Sequence, residues 1–173
     1  ETFRYVACKP NYYIAPTNKD KHGKELWNHH KMVKRTMFNY DGVEGGKTGY
    51  TTKAGGTLVT FAKRGDQELI VVDLCAHGYE LYEDTIKMLN YGFNNYKTIA
   101  PFKTMNTVLK DDTYGFLKTG NELSPYKIPL KHLNDVTVML EKNQSASKLT
   151  YKCKDNKYII SYDGKQIGSV KLH

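Results

Sequence analysis

Two apolar runs, Leu58 to Lys63 and Leu69 to Leu74, are joined by Arg64-Gly65-Asp66-Gln67. Short runs rich in branched and aromatic residues, punctuated by a polar turn with a glycine, specify an antiparallel hairpin. From Tyr79 onward Leu81, Tyr82, Thr85, Ile86, Met88, Leu89 and Phe93 recur at helical spacing. A helix with such a stripe buries it on the strands it follows, so these side chains are expected in the core and carry no chemistry. Gly92 and the asparagines after it are expected to end that helix. Antiparallel strands with a packed helix place this half of the chain in the α+β class.

The flanks read differently. Upstream, Tyr5 to Cys8 and Tyr12 to Ala15 read as short extended pieces around Pro10, and Lys19 to Lys24 as a polar loop. The apolar spacing of Met32 to Asn39 fits strand and helix equally. After Pro101 the texture changes to short alternating segments: Asn106 to Lys110, Tyr114 to Lys118, Lys127 to Lys131, Thr137 to Glu141 and Lys148 to Lys152. Tyr158 to Tyr162 and Gln166 to Leu172 flank Asp163-Gly164, a strong signal for a tight hairpin. Regular strands without a helical period argue a small all-β sandwich. The expected organisation is a first domain over 1–100, a linker at about Thr98 to Thr104, and a second domain over 101–173.

Composition narrows the function classes. The 173 residues are 39% hydrophobic and 25% charged, as in ordinary globular proteins. No apolar run approaches the roughly 20 residues that span a bilayer. Net charge is +8, but the lysines are scattered and no nucleic-acid motif accompanies them, so no nucleic-acid partner is expected. Cys8, Cys75 and Cys153 share no metal-ligand spacing, and Cys75, at the end of an apolar run, reads as a buried inert thiol. His29 and His30 are adjacent, so on a strand they face opposite ways and do not share an ion. A loop or surface role is expected for each, as for His22 and His77, and no metal is expected.

Residues 42 to 62 carry the chemistry. Lys47-Thr48-Gly49 sits between a glycine pair and an apolar strand. A lysine cation and a threonine hydroxyl suit a carboxylate, and a glycine lets a ligand lie flat against a strand edge. Val43 to Ala62 resembles the DGIKTGYTxxAGxxLVxxA segment of the D-alanyl-D-alanine carboxypeptidases, the low-molecular-mass penicillin-binding proteins. Phe3-Arg4-Tyr5-Val6-Ala7 and Ile14-Ala15-Pro16-Thr17-Asn18 are similar to that family's FREIVATK and IPxTN stretches. Leu26-Trp27-Asn28-His29-His30-Lys31-Met32 is similar to its L-[YW]-N-x-N-K-L segment, with His30 where the family usually has Asn. Arg64-Gly65-Asp66, Leu69 to Val72 and Met88-Leu89-Asn90-Tyr91-Gly92-Phe93 complete a match over about residues 2 to 97.

The resemblance implies the C-terminal part of a penicillin-binding/β-lactamase-like domain followed by an all-β module. It implies an exported enzyme at the outer face of the cytoplasmic membrane or in the wall, acting on peptidoglycan stem pentapeptides and bound by β-lactams, without cofactor. In that chemistry a serine, activated by a lysine one helical turn later, forms an acyl-enzyme. Carried over, Lys47 is an electrostatic clamp, Thr48 binds the carboxylate, Gly49 leaves room, and the Tyr50 N–H is an oxyanion donor. The nucleophile and the Ser-x-Asn motif are expected in a missing N-terminal catalytic half, and a start at Glu1 inside a family motif is read as the trace of a larger parent. Peripheral membrane association is an expectation for that parent; the chain shows no amphipathic tail. A dimer through exposed sheet is a further expectation.

Three decoys are set aside. Lys118-Thr119-Gly120 repeats the tripeptide in the β-module. Ser124-Pro125-Tyr126-Lys127 and Ser145-Ala146-Ser147-Lys148 satisfy Ser-x-x-Lys on paper, but neither lies in a helical pattern that puts both on one face. The rival readings are a serine β-lactamase and a non-catalytic cell-wall-binding module.

Overall fold

The computed structural model describes residues 2–34, 36–103, 107–109, 114–119, 122–123, 128–129, 136–155 and 157–171. By contacts the chain divides into two compact units, Glu1–Asn94 and Asn95–His173.

The first unit opens with a short helix, α1 (Thr2–Ala7), followed by a hairpin of β1 (Asn11–Ile14) and β2 (Lys24–Trp27). Tyr5 to Ala7 is therefore helical instead of extended, and Cys8 is in the turn that follows. Its i, i+4 pair Phe3 and Ala7 meets the sheet: the Phe3 ring lies 6.3 Å from Phe61, and the Arg4 guanidinium pairs with Glu68 at 2.6 Å. Tertiary contact overrides a local sequence too short to declare itself. The stretch that fitted either structure is a single 3-10 turn, Lys31–Val33, followed by irregular chain.

The central sheet follows: β3 (Val43–Thr51), β4 (Gly55–Arg64) and β5 (Gln67–Ala76), antiparallel in that order. Arg64 and Gln67 are paired, so the β4–β5 turn is Gly65-Asp66, with Gly65 at φ +58° as a tight two-residue turn requires. The helix α2 (Glu80–Asn95) carries Glu80 and Glu83 in its first turn, where acidic groups complement the helix dipole. Its buried residues Leu81, Tyr82, Thr85, Leu89 and Phe93 come from the expected stripe, with Ile86 partly buried and Met88 turned outward. They pack with Leu58, Ala62 and Val71 of the sheet and with Met32 and Phe38. Gly92 does not end the helix. It lies inside it, where a Cβ would strike the Leu69 side chain, so the glycine serves close approach of helix to strand.

In the second unit α2 gives way to β6 (Tyr96–Ile99), and the remaining strands are β7 (Thr107–Leu109), β8 (Tyr114–Thr119), β9 (Glu122–Leu123), β10 (Ile128–Pro129), β11 (Val138–Glu141), β12 (Leu149–Lys154), β13 (Lys157–Tyr162) and β14 (Lys165–Lys171). The stretch read as a linker thus begins within β6, which pairs with β11. Val138 and Leu140 of β11 share a core with Leu149, Tyr158 and Ile160 of the β12-β13-β14 sheet and with Phe102. Alternation drives this: Val138 and Leu140 are buried and Met139 and Glu141 exposed. Tyr162 pairs with Lys165 across Asp163-Gly164, both at positive φ, the conformation that makes Asp-Gly a hairpin signal.

Candidate functional site

Lys47, Thr48, Gly49 and Tyr50 lie in β3, which among the described residues is an edge of the central sheet. In register they stand opposite Val59, Leu58, Thr57 and Gly56 of β4. Alternation puts Lys47 and Gly49 on the face of Val59, and Thr48 and Tyr50 on the face of Leu58. Lysine and threonine therefore meet only around the strand edge. That is where the Lys47 ammonium is found: Nζ donates to the Thr48 carbonyl oxygen at 2.6 Å. An antiparallel strand turns the polar groups of alternate residues to the same side, so the Tyr50 N–H shares the open edge with the Thr48 carbonyl. The Tyr50 ring is exposed.

A small cleft of about 230 Å³ opens beside this edge, lined by Trp27, Asn28, His29, Gly46, Lys47 and Thr48. A larger groove of about 570 Å³ runs from Lys47 between α1 and the β1–β2 hairpin, with Phe3, Val6, Tyr12 and Trp27 in its walls. Asn28 is architectural: its Nδ2 donates to the carbonyls of Ala7 and Lys9, both at 3.0 Å, and its Oδ1 accepts from the His30 N–H.

His29 is exposed, as a loop residue should be. His30 is not: it is 1% exposed, and its Nε2 lies 2.9 Å from Thr60 Oγ1. Burial pushes its pKa down to about 4, with the Val59 carbonyl opposing. The sequence offered one signal for this, the departure from asparagine at that position. Cys75 also differs from expectation, being exposed with φ +64° at the end of β5, where β4–β5 pairing has just slipped at Gly56/Thr57. Cys8 is exposed as well. Among the described residues no three His, Cys, Asp or Glu side chains gather as a metal group.

Ser145 caps a 3-10 turn by accepting from the Ser147 N–H, and Lys148 reaches Asp163 at 3.4 Å. Ser124 to Lys127 and Gly120 lie outside the described residues.

No protein-family model matches the chain. It is 29% identical over 154 residues to D-alanyl-D-alanine carboxypeptidase DacF of Bacillus subtilis, covering 86% of this chain and 37% of that protein. It is 35% identical over 77 residues to D-alanyl-D-alanine carboxypeptidase DacC of Escherichia coli, covering 44% of this chain and 18% of that one. The fold is similar to penicillin binding protein 5 from Haemophilus influenzae, with a TM-score of 0.61 at 22% identity over 98% of this chain and 49% of that chain. The chain therefore spans well under two thirds of the proteins it matches. In sequence and in fold it is related to the C-terminal part of the D-alanyl-D-alanine carboxypeptidases, the low-molecular-mass penicillin-binding proteins.

Proposed function

We propose that this chain forms the carboxylate-binding and oxyanion side of a serine-type D-Ala-D-Ala carboxypeptidase site. Its substrate would be the peptidoglycan stem pentapeptide, with β-lactams binding in its place, at the outer face of the membrane or in the wall. The observation that carries this is the open edge of β3, where the Lys47 ammonium is drawn to the Thr48 carbonyl and the Tyr50 N–H faces outward. Lys47 attracts the substrate's terminal carboxylate, and the Thr48 hydroxyl donates to it. Gly49 keeps the edge free of a side chain, so the scissile carbonyl can approach. The Tyr50 N–H stabilises the oxyanion as the carbonyl is attacked. Acyl transfer also needs a nucleophile and a base, and the first unit, Glu1–Asn94, contains no serine.

We assign those groups to the rest of the protein, seated on the sheet face that Lys47 shares. Val59 and Val72 continue that face from Lys47, with Ile70 and Leu74 alongside, all exposed and apolar. An apolar patch of this kind marks an interaction surface. Two measurements test the assignment. Incubated with benzylpenicillin, the isolated chain should keep its mass; a penicilloyl adduct on it would overturn the placement of the nucleophile elsewhere. A peptide ending in D-Ala-D-Ala should shift the amide resonances of Lys47 to Tyr50, and Lys47→Met should weaken binding roughly tenfold, as loss of one charge-assisted hydrogen bond does. Undiminished binding by that variant would remove the clamp from the reading.

A further inference from the structure

Two glycines, Gly45 and Gly46, precede Lys47, and a bulge at Val43/Gly45 precedes them. A glycine pair beside a bulge does not fix its own path, so the direction in which Lys47 leaves the strand must be set by what backs the glycines. Gly45 is backed by Ala7 and Phe61. Behind Gly46 are the Val59 carbonyl oxygen of the neighbouring strand and the imidazole of His30: a Cβ on Gly46 would strike that oxygen and come within 2.6 Å of Nε2 and 2.7 Å of Cδ2. We propose that His30 is a positioning residue for the Lys47-Thr48-Gly49 edge, a buried neutral ring that sets the course of β3 from behind Gly46. The proposal rests on reading that edge as a carboxylate site.

The ring is held by the sheet and by α2. Its Nε2 meets Thr60 Oγ1 at 2.9 Å, and Thr60 is the cross-strand partner of Gly46, so one contact ties the ring to both strands. The Tyr82 ring of α2 meets it edge-on at 6.2 Å. Its backbone is fixed too, the N–H by Asn28 Oδ1 and the carbonyl by the Val33 N–H that starts the 3-10 turn. Nδ1 is buried without a partner among the described residues. Burial disfavours the charged ring more than the Val59 and His30 backbone carbonyls favour it, so the ring stays neutral well below its ordinary range. Lys31 and Lys34, the described cations that follow it in the chain, lie over the Tyr79 ring at 4.2 Å and the Trp27 ring at 5.5 Å, and Lys47 is on the Thr48 carbonyl. An asparagine is shorter but offers the same two polar functions, so it can meet Thr60 while leaving Gly46 less tightly backed.

The test is amide NMR of the whole chain with His30→Asn and His30→Ala, followed from pH 7 to pH 3.5. In the parent chain the amides of Gly46 to Tyr50 should report a common titration near pH 4 that the second unit does not share. His30→Asn should abolish that titration, keep those resonances close to their pH 7 positions and leave D-Ala-D-Ala peptide affinity within about threefold. His30→Ala should displace them and weaken the peptide roughly tenfold, the loss of one charge-assisted contact. Unmoved Gly46 to Tyr50 resonances in His30→Ala, or no common titration in the parent, would overturn the proposal. Should His30→Ala fail to fold, the parent titration and its loss in His30→Asn decide alone. If the parent binds no peptide at this edge, the carboxylate reading fails, while the resonances still decide what His30 does.

Discussion

On one face of the β3-β4-β5 sheet Leu58 is 0% exposed, sealed by α2; on the other, Ile70 is 70%, Leu74 66% and Val72 53% exposed. Both faces are apolar. A strand with one wet face reads as an alternation of apolar and polar residues, whereas Leu69-Ile70-Val71-Val72 is an unbroken apolar run, the pattern of a strand covered twice. Among the described residues of the first unit, α2 covers one face, and α1 rests on one end of the other. Lys47 belongs to the open face by register with Val59. The proposed site thus sits where the covered and the open face of the first unit's sheet meet.

The sharpest way to break that comparison is to cut equal side chains from both faces. Leu89, fully buried between α2 and the sheet, should cost about 2–5 kcal/mol on Leu89→Ala, from lost transfer energy plus the cavity left behind. Ile70→Ala should cost no more than about 0.5 kcal/mol, as at exposed sites generally. Urea unfolding of the two variants measures both. Comparable losses would mean that the open face is already covered in the free chain, by a second copy or by a segment of its own. Concentration dependence of the midpoint then tells those apart.

Acid probes the buried face next. The pKa of His30 is lowered from 6.5 to about 4, so between those values the unfolded chain takes up a proton that the folded chain refuses. Its contribution to stability is complete above pH 6.5 and drains away as pH falls toward 4. The amount is on the order of 3 kcal/mol, from the size of the shift. Unfolding of the first unit, followed by denaturant at pH 7, 5.5 and 4.5, should show this decline, and His30→Asn should remove most of it. A parent chain as stable at pH 4.5 as at pH 7 would mean that the ring is already hydrated.

How far these features were legible in the sequence depended on whether the signal was local. The β4–β5 hairpin, the α2 stripe and the Asp163-Gly164 turn each follow from residues close in sequence, and the structure has them within about three residues. The helix at Thr2–Ala7 was missed because six residues cannot nucleate on propensity; Arg4 and Phe3 hold it from Glu68 and Phe61, far along the chain. Gly92 looked like a helix end because a helix-ending glycine and a close-packing glycine are the same letter. His30 was the costliest miss for the site: adjacency to His29 suggested a loop, whereas its place is decided by Gly46 and Thr60, on two other strands. The Lys47 edge itself was legible as a motif, but a motif does not say that lysine and threonine lie on opposite faces and meet around an edge.

The smallest expected effect concerns the little cover the open face has from this chain. At its far end α1 rests on Phe61, and Arg4 pairs with Glu68 at 2.6 Å, with Glu44 at 3.6 Å and Lys63 on Glu68 at 3.1 Å. Hydrogen bonds from Arg4 and Lys63 hold the Glu68 carboxyl down to about 2, so this contribution is present above pH 4.5 and fades only as pH falls toward 2. All of these groups are well exposed to solvent, where screening leaves such a cluster little net stabilisation. Glu68→Gln should therefore shift the urea midpoint slightly, and added salt should erase the difference. A loss near that of Leu89→Ala would instead make α1 a structural lid on the open face. The surface left for a partner would then shrink to Ile70, Val72 and Leu74, beside the edge that carries Lys47.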